Sequence, residues 1–168
     1  MIGNPPMGWY DVAQVCMNGH VVNDTAQRNP EFNKQYCDRC GEKTITACLN
    51  CNTAVQGDYH CEGVTVIGTC PTPAPAFCHN CGNPFPWTTA KQLAAIELFL
   101  EEDQSKEDQD VFRQSVEQIA KDTPQAQVAS KRIGKLLGKI SKETASAIRD
   151  ILVDVASETA KKLLFPGT

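Results

Sequence analysis

No cysteine occurs in the last 87 residues of this 168-residue chain, although the chain holds nine. All nine lie between Cys16 and Cys81. Metal or thiol stapling is therefore confined to the first half, and the second half has to rely on ordinary apolar packing. Histidine is scarce too, with three in all. No Gly-rich phosphate loop, G-x-S-x-G elbow or H-E-x-x-H helix is present, so no catalytic constellation is recognised and no enzyme is expected. No apolar run approaches the roughly 18 residues of a membrane span. The start, "MIGNPPMGWYDVAQV", lacks a basic region followed by an apolar stretch, unlike a secretory signal. A cytoplasmic location is expected, where thiols stay reduced and C-x-x-C pairs bind metal. There is no basic excess either: the formal net charge of −4 makes non-specific attraction to nucleic acid no default.

What is present is a series of ligand pairs: Cys16/His20 in "CMNGH", Cys37/Cys40 in "CDRCG", Cys48/Cys51 in "CLNCN" and Cys78/Cys81 in "CHNCG". Nine cysteines, an odd number, suit a disulfide framework badly. A C-x-x-C followed by Gly is a zinc knuckle: two thiolates bind, and Gly supplies the positive φ that the turn needs. Asn52 is expected to take that place after Cys51, because Asn tolerates the left-handed region better than most residues. Eight ligands fill two tetrahedral sites. Two structural Zn²⁺ are therefore expected, with no position left for a catalytic water.

Thr44, Ile45 and Thr46 between the inner pairs read as a strand. Eight residue steps at about 3.3 Å carry the chain roughly 26 Å, far enough to leave one ion and reach another. Sequential pairing follows: Cys16, His20, Cys37 and Cys40 in site 1, and Cys48, Cys51, Cys78 and Cys81 in site 2. An interleaved cross-brace is the alternative. Cys61 and Cys70 are left over in the insert between Cys51 and Cys78, beside a strand expected over Val64–Ile67. A third metal site or a redox pair is one reading of them, and two half-buried residues across a hairpin is the favoured one. His79 is expected to be a solvent-facing spacer. Trp9, Tyr10, Phe85 and Trp87 flank the knuckles and are expected to pack over the metals rather than stack on bases.

These motifs resemble the double zinc ribbon class. More narrowly, "CMNGHVVN", "YCDRCGEKTIT", "CLNCNTAVQGDYH" and "FCHNCGNPFPWT" resemble a bacterial family known as a domain of unknown function, over about Trp9 to Thr88. The resemblance implies a zinc-ribbon fold and brings no activity with it. Cys61 and Cys70 stand outside the family pattern.

After "NPFPW" the periodicity becomes helical. Four starts are expected: Thr89-x-x-Gln92 as a capping box, Ser105-x-x-Asp108, Thr123-Pro124, and Ser141. The corresponding apolar stripes are Leu93, Ile96, Phe99 and Leu100; Phe112, Val116, Ile119 and Ala120; Ala129, Ile133, Leu136, Leu137 and Ile140; and Ile148, Leu152, Val155 and Leu163, ending before Pro166-Gly167. The fold class is thus a small metal-bound β module over residues 1–87 followed by an all-α region over 88–168, a small bundle or a set of arms.

Charge is unevenly placed in the helical half. Seven acids and one base lie between Glu97 and Asp110, and five bases and no acid between Lys131 and Lys142. Lys131, Lys135, Lys139 and Lys142, with Arg132 beside them, are expected on one helical face. That face could meet phosphate or membrane, or simply offset the acidic segment of this chain or of a second copy. Gly134-x-x-x-Gly138 suggests a helix–helix contact, in cis or in a homo-oligomer. The first half is a poor candidate for gripping nucleic acid alone, with four Lys/Arg against seven Asp/Glu, and seven thiolates on two Zn²⁺ would add a further −3. The reading is a non-catalytic zinc-binding adaptor or regulator that meets a protein partner or a second copy through its helices. The alternatives are a nucleic-acid protein working through residues 131–142 and, behind it, peripheral contact with a membrane surface.

Overall fold

The computed structural model describes residues 8–64 and 72–165. The chain divides into two compact units, Met1–Trp87 and Thr88–Thr168. Thr65, Val66, Ile67, Cys70, Pro166 and Gly167, each named above, lie outside the described residues. Of the strand expected at Val64–Ile67, only Val64 is described, and it is exposed and in no strand.

The first unit is built on two small antiparallel sheets. Strand β1 (Gly8–Val12) pairs with β5 (Gln56–Cys61), setting Trp9 opposite His60 and Tyr10 opposite Tyr59. The other sheet has the order β3-β2-β4, with β2 (Gln14–Cys16) central between β3 (Val21–Asn23) and β4 (Thr44–Ile45). The strand expected at Thr44–Thr46 is this β4, one residue shorter. The β1–β5 pair has no counterpart in the sequence reading. It closes around Gly57, where a Cβ would stand 2.2 Å from the Asp24 carbonyl oxygen, so only glycine permits the approach. A 3₁₀ turn covers Pro30–Phe32.

The apolar core of this unit gathers Ala13, Val15, Val55, Phe85 and Trp87 around two cysteines, Cys48 and Cys78. Phe85 and Trp87 stack at 4.6 Å, and the Trp87 indole N–H donates to the Pro75 carbonyl at 2.8 Å. These two aromatics do pack beside the knuckles. Trp9 and Tyr10 do not: β1 holds them on the exposed ribbon, in edge contact with His60 and Tyr59.

The second unit is made of helices, the first of which begins at the end of the first unit. Helix α1 spans Pro86–Leu100, so it starts three residues before the expected capping box at Thr89. Pro86 suits the first turn because its missing N–H is not needed there and its φ is already helical. The buried face of α1 is Ala95, Ile96 and Phe99, while Leu93, expected inward, is 50% exposed. Helix α2 (Lys106–Ile119) is capped by Ser105, whose hydroxyl accepts from the Asp108 N–H. Helix α3 (Pro124–Leu137) opens with Pro124, and Thr123 at its N-cap makes no side-chain bond.

The expected fourth helix is two helices. Ser141 caps α4 (Lys142–Val153), the chain then breaks, and Ser157 caps α5 (Glu158–Leu164) by accepting from the Ala160 N–H. The Ser157 N–H meanwhile donates to the Ile119 carbonyl at the end of α2, which fixes the break against the bundle. Leu163 consequently lies 47% exposed instead of inward. The expected residues of α2 and α3 are buried as read, Ile140 partly, and Phe99 stacks on Phe112 at 4.1 Å inside the core.

Candidate metal centres

Three of the four motifs fold into the same local structure. In each, a β-bridge brackets the C-x-x-C seven residues apart: Tyr36 with Lys43, Ala47 with Ala54, and Phe77 with Pro84. Within each bracket the residue after the second cysteine donates its N–H to the carbonyl of the first: Gly41 to Cys37, Asn52 to Cys48, Gly82 to Cys78. That bond requires a left-handed residue, and φ is +74° at Gly41, +58° at Asn52 and +71° at Gly82. Asn52 thus stands where the other two knuckles have glycine. The fourth motif is wider. Gly19 has φ +86°, Gly19 N–H donates to the Cys16 carbonyl, and His20 N–H points at the Cys16 sulfur at 3.3 Å.

The turns bring eight side chains into two groups of four. Cys16, His20, Cys37 and Cys40 form one, and Cys48, Cys51, Cys78 and Cys81 the other, with the donor atoms of each group within 4.8 Å of one another. The grouping is sequential, and the two inner C-x-x-C pairs belong to different groups. β2 and β4 link them: Cys16 ends β2 and pairs with Thr44 of β4, which runs on toward Cys48.

Distances within the groups match a tetrahedral ion. A metal with bonds of about 2.3 Å to sulfur sets sulfurs about 3.8 Å apart, and about 3.5 Å from an imidazole nitrogen bound at about 2.0 Å. The observed separations are 3.7 Å for Cys16–Cys40, 3.8 Å for Cys48–Cys81, 3.6 Å for Cys51–Cys78 and 3.6 Å from the Cys37 sulfur to His20 Nδ1. A disulfide would need about 2.0 Å, so the described cysteines are unlinked thiols. The groups can hold metal ions as zinc-ribbon-like sites, each closed by four protein donors.

The two groups share an electrostatic device. The Cys40 thiol is pulled down to about 6, first by the Glu42 backbone N–H and also by the Asn18 amide. The Cys51 thiol is likewise pulled down to about 6, first by the Thr53 hydroxyl and also by the Asn80 amide. Asn18 lies two residues after Cys16, and Asn80 two residues after Cys78. In each site, then, the asparagine of one knuckle serves the outer thiol of the facing knuckle. Burial pushes the Cys16 thiol up, against the N–H groups that face it. Neither asparagine was singled out from the sequence, although both stand at equivalent positions in their motifs.

Cys61, half-buried at the end of β5, belongs to neither group. His60 is engaged elsewhere. Arg28 donates to His60 Nδ1 at 2.9 Å, to Asp58 at 2.8 Å and to Asp11 at 2.7 Å. Asp11 is 2% exposed and also accepts from the backbone N–H groups of Val12 and Gln27. Burial opposes its charge, but these donors outweigh burial and hold the carboxyl below its ordinary range. His79 is exposed inside its knuckle, as a spacer would be.

The five bases expected on one helical face are divided. α3 ends at Leu137, so Lys131, Arg132 and Lys135 lie on it, Lys139 lies in the following turn and Lys142 begins α4. Gly138, which caps α3, is what interrupts the row. Lys139 is paired with Asp108 of the acidic segment at 2.7 Å. Gly134 makes no close helix contact among the described residues, since none of them stands within 4 Å of where its Cβ would be.

A family model described as "Uncharacterized protein conserved in bacteria (DUF2321)" matches residues 9–164, and the chain belongs to that family. The match runs through both the cysteine groups and the helices, well beyond the stretch whose motifs carried the resemblance. No curated protein and no solved structure matches the chain.

Proposed function

We propose that this family member is a non-catalytic zinc protein, in which two structural Zn²⁺ hold a ribbon scaffold and the helical unit, residues 88–168, engages a protein partner. The ligands are Cys16, His20, Cys37 and Cys40 in one site and Cys48, Cys51, Cys78 and Cys81 in the other. The observation that carries this reading is the pair of closed four-donor groups with tetrahedral spacings of 3.6 to 3.8 Å. Cys₄ and Cys₃His sets of this shape suit zinc, and four protein donors leave no place for a reactive water. Zinc in such a module contributes folding free energy that a small domain with a thin apolar core lacks. No helix among the described residues is long and apolar enough to cross a membrane.

Support for an adaptor role comes from the division of labour. One unit is organised around the two cysteine groups, while the other carries exposed charge and apolar side chains on a packed bundle. The basic row is less suited to nucleic acid than its sequence promised, because Lys139 is neutralised by Asp108 and Lys142 belongs to a different helix. The test is elemental analysis of protein purified under reducing conditions, paired with thiol counting. Two zinc per chain is the expected result. One zinc, none, or an iron–sulfur absorption band overturns the assignment.

A further inference from the structure

The helical unit carries two exposed leucines set in opposite charge. Leu93 lies on α1 one turn before Glu97 and two turns before Glu101, so the three share a face. Leu93 is 50% exposed. Glu97 and Glu101 are exposed and form no ion pair among the described residues. This face is apolar at one end and acidic at the other.

The complementary surface is a cleft between α3, α4 and α5. Its volume is about 470 Å³, and it is lined by Ser130, Lys131, Gly134, Arg149, Leu163 and Leu164. Leu163, 47% exposed, stands at its wall. Lys131 and Arg149 are exposed, and neither has an ion-pair partner among the described residues. Among the described residues no carboxylate lines the cleft. Gly134 keeps it open, because no side chain projects there.

We propose that α1 of one copy of this chain docks in the α3–α4–α5 cleft of a second copy. Leu93 packs against Leu163 and Leu164, and Glu97 and Glu101 meet Lys131 and Arg149. The occupant is a second copy because one chain carries both halves of the match, a leucine beside carboxylates and a leucine beside cations. The acidic and basic segments already attract within one chain, as the Lys139–Asp108 pair at 2.7 Å records. A two-fold arrangement makes the contact twice, with each α1 in the other copy's cleft, and closes the assembly at two. The idea deepens the reading that the helical unit is the docking part and names its partner. It does not depend on the metal identity.

The experiment is sedimentation of the full zinc-loaded chain across a micromolar concentration series, at low and high salt, with zinc content measured on the same samples. A monomer–dimer equilibrium weakened by salt is expected. Lys131→Glu and Glu97→Lys should each weaken dimerisation about tenfold or more, because each sets like charges face to face. Mixing these two variants should restore it, since the reversed cleft of one then meets the reversed helix of the other. Both positions are exposed, so helical content serves as the folding control. A chain that stays monomeric throughout overturns the proposal, as does a dimer indifferent to both reversals or one that mixing fails to restore. Two zinc per chain in those samples would leave the metal assignment standing while the docking idea falls.

Discussion

With zinc in both cysteine groups, as proposed, its removal should unfold the first unit and leave the second folded. Both tryptophans, Trp9 and Trp87, lie in residues 1–87, whereas every α-helix among the described residues lies beyond residue 85. Trp87 is 4% exposed, and its surroundings include two proposed ligands, Cys48 and Cys78, among the seven buried residues of the cluster. Gly19, in the knuckle of the other site, stands under its ring, where a Cβ would come within 3.0 Å. The Cys48–Cys78 group therefore bears on this fluorophore directly, and the other group only through Gly19. At free zinc a hundredfold above Kd, binding contributes about 2.7 kcal/mol per site, so about 5.4 kcal/mol for two. Small domains carry about 5–15 kcal/mol in all. Chelation therefore removes a share of the first unit's stability comparable to the whole margin of a domain this small. The assay is a chelator titration followed at once by tryptophan emission and by far-UV helical ellipticity, then reversed with zinc. Emission should shift to the red as Trp87 is hydrated, while helical ellipticity holds. Unmoved emission after both metals have left would refute the structural role of the sites. Concerted loss of the helical signal would refute the independence of the two units.

Three further expectations concern single side chains. Asn18→Ala should weaken metal binding at Cys40's site alone, and Asn80→Ala at Cys51's site alone, each by about 10–100-fold in competition with a chelator, the usual cost of losing a group that orients a ligand. Thiols held at about 6 against about 8.5 in the unfolded chain contribute stability that is complete above about 8.5 and lost as pH falls through about 6, so either variant should release its metal at a higher pH. Asp11→Ala removes the acceptor of Val12, Gln27 and Arg28 and should cost roughly 2–3 kcal/mol in denaturant melts; Arg28, its side chain 31% exposed, can turn to water, which limits the loss. Asn52→Gly should be tolerated, while Asn52→Val should destabilise the first unit by about 1–2 kcal/mol, because a β-branched residue resists φ +58°.

The knuckles were legible because each is local: a handful of residues contains the ligands, the turn residue and the bond that closes the turn. Sequential grouping was legible from one length, the Thr44–Ile45 strand being too extended to fold the inner pairs onto a single ion. The β1–β5 pair was not, because its partners are some fifty residues apart and Gly57, which permits their approach, has no local signature. Asp11 escaped because two of its donors, Gln27 and Arg28, come from an irregular loop 16 and 17 residues away. In the second unit the apolar stripes of α2 and α3 were read correctly from period alone. The failures there were at the ends. Thr89 had the pattern of a cap, but Pro86 had already started the helix. Ser157 was not recognised as a new start, because the stripe from Ile148 to Leu163 keeps its period across the break.

The two sites repeat one device in unlike surroundings, and that difference orders their loss. Cys48 and Cys78 belong to the apolar cluster with Val55, Phe85 and Trp87, and Cys51 and Cys81 pack against it. None of Cys16, His20, Cys37 and Cys40 does. The outermost thiol of that group, Cys40, is exposed, whereas Cys51 and Cys81 are half-covered. A chelator has to reach the ion and share its coordination before the last protein ligand leaves, so an exposed thiolate is the point of entry. The second group offers no fully exposed thiol, and its buried pair, Cys48 and Cys78, is reached more slowly. Metal should therefore leave in two steps, the first from Cys16, His20, Cys37 and Cys40 with little change in Trp87 emission, and the second with the full red shift. Chelator-release kinetics on the wild type and on Cys40→Ser, with emission recorded alongside, separate the steps: the variant should lack the fast step and keep the slow one. A single step, or a fast step that carries the whole red shift, would mean that the cluster around Trp87 depends on both ions equally and that burial does not set the order.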